Sequence, residues 1–271
     1  MPEFPSRPDF AAAPLGSGRG VILYDSPTSP CGRRVRMCLL EKGVPFEIRW
    51  LDLGAMEQKQ DWYLRLNPSG IVPTLVHEGR AIHESNVINE YLDAVFPAPR
   101  LMPADAHEQA QARMWMAYEL DWAKPFRDAI YETHMKKRAQ ASGMTPDALA
   151  ERIGRNTRAE YHLRHALKVL MEPPDEALIA ERRAILFDRL ALMEARLADG
   201  RTWLVGGRFG LADIALAPRL DMFPRIGVED LPQRFPRIGA FLDRVRARPS
   251  WTGSAFGFPP ANNPSLVRPA A

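Results

Sequence analysis

Ser29 and Cys31 flank a proline in the stretch SPTSPCGRRVRMCLLEKG (Ser26 to Gly43), which follows the apolar run Val21 to Tyr24. A helix starting directly after a strand offers unsatisfied backbone N–H groups and a partial positive charge of about +0.5. A thiolate beside such a start is stabilised, which lowers a thiol pKa from about 8.5 into the range of roughly 3.5–7.5 in favourable settings. Ser29 suits the N-cap and Pro30 the first helical position. The Ser29 hydroxyl and the Cys31 thiol are therefore candidate catalytic groups. The alternative is a capping serine beside a space-filling thiol, and these three residues alone do not separate the two. Cys38, seven residues further along one helix, lies about 10 Å away along the axis, beyond the roughly 7 Å that a disulfide spans. Set among Val35, Met37, Leu39 and Leu40, it reads as a buried, inert thiol.

Two further stretches could supply a partner for this chemistry. In NPSGIVPTL (Asn67 to Leu75), Val72-Pro73 opens a strand, the one place besides an edge where a proline fits a ladder. A cis bond at Pro73 would present the Val72 N–H and C=O to an extended peptide ligand, which pairs as an added strand. In HESNVINEYL (His83 to Leu92), Glu84 and Ser85 begin a helix whose start suits a carboxylate, or they are simply a capping pair. Other chemistries find less. His83, His107, His134, His162 and His165 show no metal-ligand spacing, and no Gly-rich phosphate loop occurs.

These residues need elements to position them. Val21 to Tyr24 is a strand, and CGRRVRMCLLEKG is a helix with Gly43 at its C-terminal end. PFEIRWLDL alternates as a strand, EQKQDWYLRLN is a short helix, and IVPTLVHEGRAIHE is a pair of strands around Glu78-Gly79. ESNVINEYLDAVFP closes the set as a helix, so the order is β-α-β, α, β-β-α. After PAPRLMPAD only amphipathic helical patterns follow: Ala106 to about His134, roughly Pro146 to Met171, Asp175 to Ala198, Leu211 to Phe223 and Phe235 to Ala247. Pro125 is expected to kink the first of them. The chain is thus an α/β unit followed by an all-α unit, with a boundary near residue 100. Its 271 residues, 25% charged and with net charge +3, give no nucleic-acid footprint. No apolar stretch nears the roughly 18 residues of a membrane span. The opening residues lack a secretory pattern, which makes a cytoplasmic location the expectation.

From about residue 21 to 250 the chain resembles the cytosolic glutathione transferases. NPSGIVPTLVHEGRAIHESNVINEYL carries the likeness, with the VPTL turn and its cis-proline followed by the Glu-Ser pair. In the helical half, WLVGGRFGLADIALAPRL is similar to a folding motif in which Ser or Thr caps a helix and Asp follows three residues on. Here the cap is Gly210 and the acid Asp213. Ser29 falls where serine-type members carry a catalytic hydroxyl and omega-type members a cysteine. With Cys31 it resembles the S-x-C pattern of zeta-class isomerases and bacterial reductive dehalogenases. The long region 135–175 is similar to that of the dehalogenases and of bacterial β-aryl-ether-cleaving enzymes.

The resemblance implies a thioredoxin-like domain over 21–97, a linker over 98–104 and a helical bundle over 105–255, flanked by a flexible extension (1–20) and a Pro-rich tail (256–271). It implies glutathione as co-substrate, with no metal. The γ-glutamyl carboxylate is expected at Glu84 and Ser85 and the cysteinyl backbone at Val72 beside Pro73, with Lys59 also among the glutathione-binding residues. The sulfur is expected over the start of the Pro30 helix, with Ser29 donating to it. Trp115, Tyr118 and Trp122, at i, i+3 and i+7, are a core face by periodicity and an acceptor pocket by resemblance. The implied activity is thiolate attack on an aromatic electrophile, by conjugation or ether cleavage. The alternatives are dehalogenation, thiol transfer or isomerisation through Cys31, and a non-catalytic binding module. A homodimer is implied, without nucleic acid or membrane as partner.

Overall fold

The structure is a computed structural model that describes residues 20–157 and 160–255. The expected extension, apart from Gly20, and the expected Pro-rich tail lie outside the described residues. The described chain divides into two compact units. One holds 20–99 with 152–157 and 253–255, the other 100–151 with 160–252.

In the first unit, β1 (Val21–Asp25), α1 (Pro30–Glu41) and β2 (Phe46–Trp50) form a parallel β-α-β step, and α2 (Asp61–Leu66) precedes the hairpin of β3 (Thr74–His77) and β4 (Arg80–His83). Both hairpin residues, Glu78 and Gly79, have positive φ, at 50° and 73°. Such a pair matches the twist of the flanking strands. α3 (Ser85–Val95) follows. The sheet order is β2-β1-β3-β4, with β3 antiparallel to β1. Strand residues alternate between faces, and one face is a cluster of Ile22, Tyr24, Leu51, Tyr63, Leu66 and Val76. A 3₁₀ turn over Glu57–Lys59 replaces the first part of the helix expected over EQKQDWYLRLN, and another, Leu53–Ala55, precedes it.

The second unit is helical: α4 (Ala106–Ile130), α5 (Lys136–Ala141), α6 (Pro146–Gly154), α7 (Glu160–Met171), α8 (Glu176–Arg196), α9 (Leu211–Leu220), α10 (Leu231–Arg234), α11 (Pro236–Arg246) and α12 (Pro249–Gly253). The last residues of α6 group with the first unit. Its core joins α4, α8 and α9 through buried Trp122, Phe126, Leu186, Leu190 and Leu216. α4 continues through Pro125 and passes into a π-turn over Tyr131–Met135. There the Thr133 hydroxyl donates to Ala129 O at 2.7 Å, a side chain competing with the helical ladder. The pattern expected as one helix over 146–171 is broken between α6 and α7. Asn156 leaves the helical path, and its Nδ2 donates to Ala55 O at 2.7 Å, within the first unit.

Gly210 begins α9 with no side chain to offer, yet its end is satisfied. Asp213 accepts from Gly210 N and from Leu204 N, each at 2.9 Å, and Leu101 O accepts from Leu211 N at 3.1 Å. A Cβ at position 210 would lie 2.5 Å from that Leu101 oxygen. Glycine here fits the close backbone approach, which the Cβ of Ser or Thr would force apart.

Candidate functional site

The strand register brings the segments that carry Ser29, Lys59, Val72, Pro73, Glu84 and Ser85 to one end of the first unit's sheet. Asp25, the last residue of β1, pairs with Trp50, the last of β2; Tyr24 pairs with Thr74, the first of β3; Thr74 pairs with His83, the last of β4. The segments beyond that end therefore emerge together: Ser26 to Ser29, Leu51 to Lys59, Val72-Pro73, and Glu84-Ser85. Adjacent strands are spaced by about 4.8 Å, so these segments span a strip of tripeptide length.

Ser29 is the N-cap of α1, and its Oγ accepts from Gly32 N at 3.0 Å. A hydroxyl that accepts with its oxygen still has its O–H to donate. Cys31 is half-buried near the helix start, while Cys38 is fully buried and burial drives its thiol far above the ordinary range. Tyr24 is enclosed in the core, where its hydroxyl accepts from Arg49 Nη1 at 3.1 Å and burial raises its pKa.

The Val72-Pro73 bond is cis. A side-chain network fixes the loop before it: Tyr63 OH donates to Ile71 O at 2.6 Å, and Asn67 Nδ2 donates to the same carbonyl at 2.9 Å. Both side chains also meet Thr74 Oγ1, at 2.9 and 3.1 Å. Sequence reading passed over Tyr63, Asn67 and Thr74; the four-residue spacing of Tyr63 in α2 and Asn67 just after it was the signal available. Lys59 Nζ donates to Ser69 O at 3.1 Å, and partial burial lowers its pKa.

Glu84 stands at the start of α3 with φ 69°, an uncommon conformation for a residue with a side chain. Ser85 Oγ accepts from Arg34 Nη1 at 3.3 Å, so α1 braces the start of α3 through a buried arginine that sequence reading also missed. The Ser85 O–H and the start of α3 are suited to a carboxylate.

In the second unit, Trp115 and Tyr118 are half-buried and meet edge-to-face at 5.5 Å. Trp122 meets Tyr118 edge-to-face at 5.8 Å but is closed to solvent, a member of the helical core. Tyr118 OH donates to Arg189 O at 3.0 Å. Among the described residues no group of three or more His, Cys, Asp or Glu is arranged to hold a metal ion, and no helix is long and apolar enough to cross a membrane.

Two family models match the chain: the glutathione S-transferase N-terminal domain over residues 28–95 and the glutathione S-transferase C-terminal domain over residues 158–249. Protein LigF of Sphingobium sp. is 31% identical over 78% of this chain and 84% of its own length. The crystal structure of the beta-etherase LigF from Sphingobium sp. strain SYK-6 superposes with a TM-score of 0.74 at 27% identity, covering 87% of this chain and 98% of that one. Glutathione S-transferase 3 of Zea mays is 30% identical over 88% of this chain and 95% of its own length. With its thioredoxin-like unit, its helical unit and these relatives, the chain belongs to the glutathione S-transferase family.

Proposed function

We propose that the enzyme activates the thiol of glutathione for attack on an aromatic electrophile, and that cleavage of an aryl ether is its reaction. Glutathione extends along the strip at the sheet end. Its γ-glutamyl carboxylate meets the Ser85 hydroxyl and the amides that follow Glu84, its cysteinyl backbone pairs with Val72 beside Pro73, and its glycyl carboxylate meets Lys59. Its sulfur lies at the start of α1, where the Ser29 O–H donates to it. The thiolate attacks the carbon bearing the aryloxy group; a C–S bond forms, the C–O bond breaks, and the electron pair leaves on the phenolate. The half-buried rings of Trp115 and Tyr118 in the second unit favour an aromatic substrate class.

The observation that carries this reading is the Ser29 hydroxyl. It is held at a helix start by Gly32 N with its own proton unspent, at the same sheet end as the cis Val72-Pro73 turn. The likeness to LigF, titled a beta-etherase, favours ether cleavage over other conjugations. Incubation with glutathione and a β-aryl ether carrying a chromogenic phenol tests it. Phenol release matched one-to-one by a glutathionyl thioether is the expected result. Retention on glutathione–agarose without any product would instead make the chain a binding module. A product that forms with Ser29→Ala but not with Cys31→Ala would transfer the chemistry to Cys31. We further propose a homodimer, which sedimentation of the native chain tests.

A further inference from the structure

A buried ion pair underlies the first turn of α1. Asp25 is closed to solvent, and Arg36 nearly so. Asp25 Oδ1 accepts from Ser26 N at 2.7 Å and Oδ2 from Arg36 Nη1 at 3.0 Å. The remaining Arg36 donors, Nε and Nη2, are buried with no acceptor among the described residues, and the guanidinium lies 5.2 Å from the Trp50 ring centre. Asp25 is thus the charge that balances Arg36. Tyr63 of α2 is the other titratable group facing it; the Asp25 charge adds to the burial that keeps that phenol protonated.

Position 32 is glycine for a visible reason: a Cβ there would fall 1.7 Å from Asp25 Oδ1. The carboxylate fills the space that any side chain at 32 would need. Gly32 N in turn donates to Ser29 Oγ at 3.0 Å, so Asp25 lies within about 7 Å of the Ser29 hydroxyl by covalent geometry. Apolar residues of similar volume serve a purely structural role as well as a buried pair does. An ionised pair set directly against a reactive turn is the arrangement expected of a functional site.

Resting on the glutathione reading above, we propose that Asp25 is a positioning residue of the thiol site: held by Ser26 and Arg36 in the space that Gly32 leaves, it fixes the first turn of α1 and sets the field that a thiolate meets there. Removing its charge exposes that turn to the uncompensated Arg36 cation and favours a thiolate. Removing the Arg36 charge as well leaves the turn facing no net charge and restores the parent field.

The test uses the full chain without glutathione and reads the alkylation of Cys31, the residue next to Gly32, by iodoacetamide at pH 7; buried Cys38 reacts far more slowly. A unit charge at about 10 Å and an effective dielectric constant of about 20 changes a thiolate population about tenfold. Asp25→Asn is expected to speed alkylation about tenfold, and Asp25→Asn combined with Arg36→Gln to return it to the parent rate. Loosening of the fold speeds both variants, so the return to the parent rate marks the field. The packing claim has its own arm: Gly32→Ala lowers the melting temperature of the parent by more than it lowers that of the Asp25→Ala/Arg36→Met variant, in which neither charge is left unpaired. Should Asp25→Asn fail to fold, this arm decides. Equal acceleration in the single and double variants, no acceleration in Asp25→Asn, or an equal Gly32→Ala cost in both backgrounds would overturn the proposal. The glutathione reading fails separately, when the unmodified chain neither binds glutathione–agarose nor forms a thioether while the alkylation shift and its reversal persist.

Discussion

Replacing Ser29 by alanine removes two separable contributions. The first is the cap: Ser29 Oγ accepts from Gly32 N at 3.0 Å, and losing it costs about 1 kcal/mol, or about 2–4 °C in melting temperature for a chain of this size. The second is the O–H donated to the glutathione thiolate. A hydrogen bond to a charged acceptor contributes about 1.5–3 kcal/mol, and each 1.36 kcal/mol is one pKa unit, so the bound thiol rises by about one to two units. At pH 7 the variant loses about 10- to 100-fold in kcat/KM and regains it as pH climbs past the new thiol pKa. Ser29→Gly separates the two, since glycine caps a helix at a cost of only a few tenths of a kcal/mol yet carries no hydroxyl. Ultraviolet absorption of the bound thiolate against pH, alongside phenolate release, measures the second contribution; thermal melting measures the first. If Ser29→Gly titrates its bound thiol within half a unit of the parent, the hydroxyl is only a cap and the mechanism proposed for Ser29 is wrong.

Tyr63→Phe removes the 2.6 Å bond to Ile71 O that steadies the loop before Val72; it is expected to cost about 1–2 kcal/mol and to raise KM for glutathione more than it lowers kcat, as steady-state kinetics will read. Gly210→Ser, although it supplies the side chain usual for this motif, places a Cβ 2.5 Å from Leu101 O and should destabilise the chain by about 1–3 kcal/mol in chemical denaturation; a variant at least as stable as the parent refutes the close-approach argument. Burial pushes Asp25 up to about 6 and Asp213 to about 7. Raised above their unfolded value near 4, these carboxyls hold protons more tightly folded than unfolded, so the stability they contribute is full below about pH 4 and lost as pH climbs through 6 and 7. The melting temperature should accordingly rise from pH 8 to pH 5, and Asp213→Asn should flatten that rise; a steady fall over the interval counts against the assignment.

Much of this site was readable from local chemistry. Ser29 and Pro30 announce a helix start after a strand, Glu78-Gly79 a tight hairpin, and Pro73 the beginning of a strand, because each acts through its own backbone and nearest neighbours. The break between α6 and α7 was not readable, since it comes with an Asn156 side chain bonded to a carbonyl 101 residues away. Trp122 shares helical spacing with Trp115 and Tyr118, yet its depth in the core depends on the helices packed around α4. Lys59 and Ser85 could be named from the sequence, but their bonds to Ser69 O and Arg34 could not.

By itself, the sequence determined the order of elements, the two unlike halves of the chain and the residue types able to handle a thiol. Those follow from periodicity and from capping chemistry that acts over a few residues. Only the tertiary structure decided that the ends of four strands bring Ser29, Val72, Lys59 and Ser85 to one strip, and that glycines 32 and 210 leave room for an Asp25 carboxylate and a Leu101 carbonyl. Strand register and close packing join residues far apart in the chain, and no local pattern records which side chain will occupy the space beside a glycine.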